Sequence, residues 1–447
     1  MSTSGGRRPA RSGGWSARGM RHAATALLVV ALAAVVAACG SGTQQNSGGG
    51  GDSSGGKTTL ALKHISGTDQ TALAPLISAF EKQNPNIKIN ASFAPTDDLQ
   101  TSLRAQLGGG NAPDIFVVWP GNGSAMAVQQ LAPTGVLADL SDQGWVKQVP
   151  QNLKPLLGDK GKTYLWSPGM TPIGAIYNKK VFKEAGVDKL PTSWPQLLAA
   201  ADKIKAAGKI PFAVGNQTPW VTQLIPYAIA PSTAFTQDPN LAQDMLDGKK
   251  TFSNSGWRTV YERYLELEKK GYFNPSPNGT TFEQQQAMVA QGKAAMAVQV
   301  SAVAPPITDA AKNSKDIGLF PFPANDAGTD LKIPAGLGAG YGVSANSKHP
   351  AEAKKFIAFL AQPENAATYA KENIQLPLTG GDNADINPLL TPFVPFVKSG
   401  KTVPFMDQQW PNPKVQPAHF AGVQELAAGD TDINGLLKKL DDAYQQK

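Results

Sequence analysis

Four tryptophans stand beside turn residues and polar side chains rather than on periodic apolar faces. Trp119 precedes Pro120-Gly121, and Trp166 lies in Tyr164-Leu165-Trp166-Ser167-Pro168-Gly169. Trp220 follows Gly215-Asn216-Gln217-Thr218-Pro219, and Trp410 sits between Asp407-Gln408-Gln409 and Pro411-Asn412-Pro413. A flat apolar ring flanked by amides and carboxylates suits a sugar. The C–H face of a pyranose stacks on the ring while its hydroxyls take hydrogen bonds. Packing in a core is the ordinary alternative for each of the four. Trp194 and Trp257 fall on apolar helix faces and are predicted to be core. The segments around Trp220 and Trp410 have no helix or strand period, which predicts binding rings there rather than core.

No local motif marks a reaction. Gly161-Lys162-Thr163 would need a glycine five residues before Gly161 to form a phosphate loop, and that position is Leu156. Gly336, Gly338, Gly340 and Gly342 repeat with period two, unlike a dinucleotide fingerprint, and are read as a close-packed chain crossing. No serine occupies a G-x-S-x-G elbow. A glycosidase needs two carboxylates flanking one bond, and no local pattern singles out a pair, although folding could assemble one. The four histidines, at 22, 64, 349 and 419, have no metal-ligand spacing, and a single cysteine excludes zinc modules and intramolecular disulfides. Neither a metal nor a cofactor is expected.

Charge excludes one further class. The 447-residue chain carries 41 Lys+Arg against 34 Asp+Glu. Residues 1–38 hold five arginines and no acid, so the remainder is nearly balanced, with 36 bases to 34 acids. No basic face for nucleic acid is implied.

Alternating strands and helices must position these residues. Residues 58–65 are β-rich. Leu73, Leu76, Ile77 and Phe80 follow at helical spacing, residues 86–93 alternate as a half-buried strand, and Leu99, Leu103 and Leu107 mark a helix that Gly108 can end in the left-handed conformation. Residues 114–119 are a short apolar run suited to a buried parallel strand. The second half repeats this style, with strands at 174–178, 210–214 and 294–300. Ser193-Trp194-Pro195-Gln196 reads as a capping box opening a helix that Gly208 closes, and Gly271 ends another. Further helices begin after Pro350 and near Ile433. The fold class is α/β, and the length suggests two lobes.

The N-terminus has an export pattern. Five arginines precede an apolar run from Ala23 to Ala38, too short for a membrane span, which ends at Cys39. Val36-Ala37-Ala38-Cys39 resembles the bacterial lipobox, in which the cysteine is lipidated after cleavage. Residues 1–38 are thus predicted to be a lipoprotein signal peptide, and 39–57 a lipidated cysteine with a Gly/Ser tether. The predicted location is the outer face of the cell membrane, held by lipid alone.

Several short segments resemble one family in order and spacing. They are LISAFEKQNPNIKI at 76–89, LGGGNAPD at 107–114, GVLADL at 135–140, IYNK at 176–179, QGKAAM at 291–296, and GYGVS at 340–344 leading into PAEA at 350–353. Together they are similar to the extracellular solute-binding proteins of ABC importers, in the sugar-binding group related to maltose-binding protein. The resemblance implies a two-lobed periplasmic-binding-protein-like fold with three hinge crossings, near 166–173, 300–305 and 339–343, and a ligand cleft between the lobes. It places lobe one at 58–168 and 304–341, and lobe two at 169–303 and 342–447. By position along the motifs it implies ligand contacts at Asp69, Trp119, Thr171, Trp220, Gln299, Tyr341 and Trp410. Asp69 could equally cap the helix that follows. Two departures leave the sugar open. Many relatives have an aromatic residue where this chain has Ala302, and binders of linear maltodextrins often carry an acid near Thr171.

The resulting expectation is a monomeric, non-enzymatic protein that captures a mono- or oligosaccharide by cleft closure and delivers it to ABC permease subunits. The alternatives are a surface-anchored glycan hydrolase and a non-sugar binder on the same fold. The candidate tryptophans favour sugar over polyamine, since a cation would call for several acids as well.

Overall fold

Leu73, Leu76 and Phe80 of the helix Thr68–Gln83 are buried together, as their spacing predicts, against a parallel strand pair. These are β1 (Thr58–Ile65) and β2 (Ile87–Ala94), in register from Thr58 opposite Ile87 to Ile65 opposite Ala94. Leu99 and Leu103 of the next helix, Thr96–Gly108, are buried in the same core. The residue with positive φ after that helix is Gly110 rather than Gly108. A third strand, β3 (Ile115–Val118), lies parallel to β1, completing the predicted strand–helix–strand units. The computed structural model describes residues 57–378 and 385–446, so the predicted signal peptide, Cys39 and nearly all of the tether lie outside the described residues.

A small hairpin, β4 (Gly158–Asp159) with β5 (Lys162–Thr163), leads to β6 (Gly169–Asn178), the central strand of a second sheet. It is followed by β7 (Ile210–Phe212), β8 (Ala294–Val300), β9 (Ile317–Pro321), β10 (Ile333–Leu337), β11 (Gly340–Val343), β12 (Leu376–Pro377) and β13 (Thr402–Val403). The first sheet has the order β11-β3-β1-β2, and the second has β13-β10-β6-β8-β7 with β9 and β12 also paired to β6. The architecture is therefore the two-lobed, periplasmic-binding-protein-like α/β fold implied by the sequence motifs.

The lobe boundaries differ from the sequence reading. Residues 304–337 stay with the second sheet, because β9 and β10 both run antiparallel to β6 and Ala304 and Ile307 are buried in lobe two. There is no crossing near 300–305. The helices Pro350–Leu360 and Pro363–Glu372 pack on lobe one instead, with Phe356 edge-on to Phe80 at 5.0 Å. The chain passes between lobes at about 166–169, 337–340 and 373–376. Helix and strand periods identify elements but do not say which sheet a helix covers, which is why this division was not legible.

The three crossings lie side by side. Trp166 and Tyr341 exchange backbone hydrogen bonds of 3.1 and 2.8 Å, Gly338 N–H donates to Gly169 O at 2.9 Å, and Leu376 pairs with Met170. The period-two glycines belong to this packing. A Cβ on Gly340 would sit 2.0 Å from the Trp166 carbonyl oxygen.

Gly208 and Gly271 take positive φ, as expected of helix ends. Ser193 precedes its helix without a side-chain cap, and Gln196 accepts hydrogen bonds from Thr192 instead. A true capping box forms at Thr281 and Gln284.

Candidate functional site

Asp69 is in the first turn of its helix but caps nothing, since the cap position is Gly67. Its Oδ1 accepts hydrogen bonds from the Tyr369 hydroxyl and from Asn373 Nδ2, the latter at 3.0 Å. Tyr369 O–H and Tyr341 O–H lie 2.8 Å apart, and the Tyr341 ring stacks on His64 at 4.3 Å. Tyr341 is fully buried. Burial, reinforced by the Asp69 charge, pushes both tyrosine hydroxyls well above their usual pKa. Tyr341 is thus enclosed by lobe one and by Trp166, and presents no face to a cleft. Asp69 retains Oδ2, 3.6 Å from His64 Nδ1.

Thr171 lies on β6 opposite Gly336, buried, with its hydroxyl unpartnered. It converges with Gln375 of the third crossing upon Gly338 of the second. A Cβ on Gly338 would lie 3.2 Å from Thr171 Oγ1 and 2.8 Å from Gln375 Nε2. Gln408 of lobe two reaches the second crossing from its other edge, donating from Nε2 to Leu337 O at 2.8 Å. The carbonyl ends of Asn373, Gln375 and Gln408 are all buried and unpartnered. Buried polar atoms are normally paired, so this concentration where the lobes meet marks unused hydrogen-bonding capacity. Gln375 and Gln408 were not singled out by the sequence, because amides in loop segments carry no periodic signal.

Gln299 is not part of this group. It stands opposite Gly174 on β8, and alternation along β6 puts Gly174 and Thr171 on opposite faces of the sheet. Its Nε2 donates to Gln285 Oε1 at 2.6 Å, and Gln285 in turn donates to Ala213 O. That bond holds its Nε2 in the sheet, while its Oε1 is buried without a partner.

The tryptophans separate. Trp119 is half-buried at the end of β3 and begins the loop that meets lobe two. In that loop Gly121 and Gly123 press on Gln408 and Asp407, and Asn122 Nδ2 donates to Pro411 O at 2.6 Å. Trp220 is half-buried on lobe two, edge-on to Phe282 at 4.9 Å. Trp410 contradicts the expectation of a ring free of the core. It is only 5% exposed and packs against Tyr227, Phe252 and His419, with centroids near 6 Å. Trp166 is likewise buried, against Tyr341 and Tyr369. The segments around both rings lack a period because they are irregular chain folded into a core, which period alone does not detect. Trp194 and Trp257 are core, as predicted.

On lobe two, Gln416 Nε2 joins Gln223 Oε1 at 3.3 Å to Asp407 Oδ2 at 3.2 Å. All three side chains are half-buried, and Gln223 shares the short 3-10 turn Pro219–Gln223 with Trp220. Burial raises the Asp407 carboxyl to about 6, against the opposing effect of its own backbone N–H and the Tyr227 hydroxyl. A cavity of about 530 Å³ spans the lobes beside this segment, lined by Asn122 and Leu156 of lobe one and by Lys332, Gln408 and Trp410 of lobe two. Another, of about 590 Å³, lies on lobe two alone near residues 426–434 and touches none of the crossing residues. Among the described residues no group of ligating side chains could hold a metal ion, and no helix is long and apolar enough to cross a membrane.

A family description, bacterial extracellular solute-binding protein, matches residues 65–367. The chain belongs to that family. This bears out the resemblance to ABC-importer capture proteins of the maltose-binding type. Among relatives of this solute-binding protein, the melibiose/raffinose/stachyose-binding protein MelE of Bacillus subtilis is 25% identical over 401 residues, covering 87% of this chain and 90% of its own. The sn-glycerol-3-phosphate-binding periplasmic protein UgpB of Escherichia coli is 27% identical over 350 residues, covering 72% and 78%. The solved structure of a chitin oligosaccharide binding protein superposes with a TM-score of 0.75 at 24% identity, covering 87% of this chain and 98% of that one. These relatives are binding proteins by name, and the solved structure supports the shared fold.

Proposed function

We propose that this solute-binding protein captures a carbohydrate between its lobes and delivers it to the membrane subunits of an ABC importer, held at the outer membrane face by lipid on Cys39. The observation that carries the reading is the junction of the lobes, where Thr171, Asn373, Gln375 and Gln408 hold unpartnered hydrogen-bonding atoms. Each lobe also carries a half-buried ring, Trp119 at the end of β3 and Trp220 in the turn that holds Gln223. Amides supply hydrogen bonds for hydroxyls and rings supply stacking faces, the combination a sugar needs. Relatives named for raffinose-type sugars support the substrate class. Capture works by differential binding, since a ligand that touches both lobes favours the closed arrangement over the open one. No bond is broken and no cofactor takes part.

Calorimetry against a panel of neutral mono- and oligosaccharides, with small-angle scattering for closure, tests the capture step. At least one sugar should bind and contract the protein. A response confined to peptides or polyamines overturns the carbohydrate reading. Cys39→Ala should release the protein from membranes, and a variant that remains bound at normal yield removes the anchor.

A further inference from the structure

The end of lobe two farthest from the crossings has a charge character that solute capture does not explain. β6 runs from the first crossing at Gly169 out to Asn178. β7, β8 and β9 all begin beside that far end, with Tyr177 opposite Met296, Asn178 opposite Ile317 and Ile210 opposite Ala294. The segments that lead into and out of these strand ends, 179–184, 202–209, 293 and 309–316, gather there. Lys205 Nζ donates to Lys270 O and brings 268–270 to the same end. Together the five segments carry 11 lysines and five acids, which leaves 25 bases against 29 acids in the rest of the chain beyond residue 38. The positive excess of the folded body therefore lies on this one end.

Helix ends account for part of it. Lys203, Lys205 and Lys209 donate to Gly186 O, Lys270 O and Gly292 O at 3.0, 2.5 and 3.0 Å, each just past the C-terminus of a helix, where a cation is favoured. Lys183, Lys270, Lys293 and Lys312 are exposed, and their side chains make no hydrogen bond or ion pair among the described residues. Of the 11 lysines only Lys180 meets a carboxylate there, Glu184 at 3.8 Å. Elsewhere Lys88, Lys162 and Lys439 sit on carboxylates at 2.6, 3.1 and 2.5 Å. Like charges gathered without counter-charges raise the local potential, which a polyanion relieves. Their spread over five segments fits an extended anionic surface better than a single phosphate. The one aromatic residue in these segments, Phe182, is buried, so no ring is offered on which the bases of a single-stranded nucleic acid could stack.

The proposed anchor brings such a surface within reach. The chain enters lobe one at Thr58, the outer end of β1, whose other end leads to Asp69 and the third crossing. The 18 residues from 40 to 57 can extend to about 60 Å at most. We infer, resting on that lipid-anchor reading, that the lysine-covered outer end of lobe two docks on the anionic phospholipid headgroups of the same membrane. Lipid then holds the outer end of lobe one and charge the outer end of lobe two, so the body lies along the membrane with both lobes beside it. Physiological salt screens exposed charges beyond roughly 8 Å, so this contact forms only at the headgroups and strengthens as their negative charge rises.

Cosedimentation with vesicles tests the face without the anchor. A chain beginning at Gly40 keeps every residue of the described cores and carries no lipid. At low salt it should bind vesicles of phosphatidylglycerol and phosphatidylcholine, mixed about 1:1, at least roughly 10-fold more strongly than pure phosphatidylcholine, and about 0.5 M salt should remove the difference. Lys183→Glu, Lys270→Glu, Lys293→Glu and Lys312→Glu combined should weaken that binding by roughly 10-fold or more. The same reversal away from this end, at the exposed Lys82, Lys147, Lys348 and Lys355, should change it by less than about 2-fold. Equal losses in the two reversed proteins reduce the effect to net charge and overturn the face. Wild-type binding no stronger to anionic than to neutral vesicles overturns it as well. Retention on inorganic polyphosphate with none on vesicles assigns the lysines to a soluble polyanion and overturns the membrane as their partner. None of these outcomes bears on the anchor, which Cys39→Ala decides separately in the lipidated chain.

Discussion

Asn373 donates a hydrogen bond of 3.0 Å to Asp69 across 304 residues of sequence. The contact fastens the third crossing to the first helical turn of lobe one, with the Tyr369 hydroxyl on the same carboxylate oxygen. Asp69 is held here as a structural anchor for the crossing. Asp69→Ala leaves the buried Asn373 amide unpaired and removes one of the two partners of the buried Tyr369 hydroxyl, and should cost about 1–3 kcal/mol of stability. Urea unfolding at neutral pH measures it. A loss below about 0.5 kcal/mol, with ligand affinity strongly reduced, would make Asp69 a ligand contact instead.

Gly123 meets lobe two without a side chain between them. A Cβ there would lie 2.1 Å from the Asp407 carbonyl oxygen, and one on Gly121 would lie 2.2 Å from that of Gln408. Gly123→Ala should push the lobes apart at this flank without touching either core. Sugar affinity should fall by about 10-fold or more, with the liganded radius of gyration larger than wild type. Scattering and calorimetry on the same sample check both effects.

Trp220 and Trp410 should respond in opposite ways. Trp410→Ala empties a packed aromatic cluster and should cost about 3–5 kcal/mol of stability. Trp220→Ala exposes one edge of Phe282 and should leave the melting temperature nearly unaltered, while sugar affinity drops by about 10-fold. Paired melting and binding measurements distinguish them, and a stability loss at 220 equal to that at 410 would remove Trp220 from the site.

His419 is fully buried among Tyr227, Trp257, Tyr261 and Trp410, and burial lowers its pKa to about 3. A base depressed in the fold binds fewer protons there than in the unfolded chain. Its stability contribution is full above its ordinary value of 6.5 and is lost as pH falls from there toward 3. The loss should reach about 2 kcal/mol at pH 5. His419→Phe should flatten that limb of the urea-midpoint profile between pH 7 and 5.

Asp407 acts with the opposite sign. Its carboxyl is raised from 3.8 to about 6, so the fold holds the proton more tightly than the unfolded chain does. The associated stability is full below 3.8 and is lost as pH rises through 6. Asp407→Asn should therefore be more stable than wild type at pH 7.5, by about 1–2 kcal/mol, and the advantage should vanish at pH 4. Parallel unfolding curves at the two pH values provide the check.

Much of lobe one was legible because its signals are local. The strand at 58–65 and the apolar spacing of Leu73, Leu76 and Phe80 recur in the structure. Thr171 is proposed through the family resemblance, from its place ahead of Ile176-Tyr177-Asn178 on one strand. Gln375 and Gln408 gave no signal because their approach to the second crossing depends on tertiary placement of two irregular segments. Trp410 was misread for the same reason, since an aperiodic segment can still be folded inward. The lobe boundary failed at 304–337, where β10 and β11 are separated by only Gly338 and Ala339 yet join different sheets.

That interleaving has a consequence for how the chain acquires its shape. Lobe one begins at residue 58 but needs Phe356 and Tyr369 to close its core. Lobe two begins at β6 and needs residues beyond 410, down to Leu440. For a chain emerging N-terminus first, neither lobe can finish until most of the polypeptide is available. The first three strands must wait, with Phe80 and Val117 unsheltered, for a partner segment more than 200 residues downstream. Such long-range closure slows folding and leaves apolar surface open to aggregation in the interval. The arrangement that joins the two lobes therefore also sets how long the newly made polypeptide stays open before either core can close.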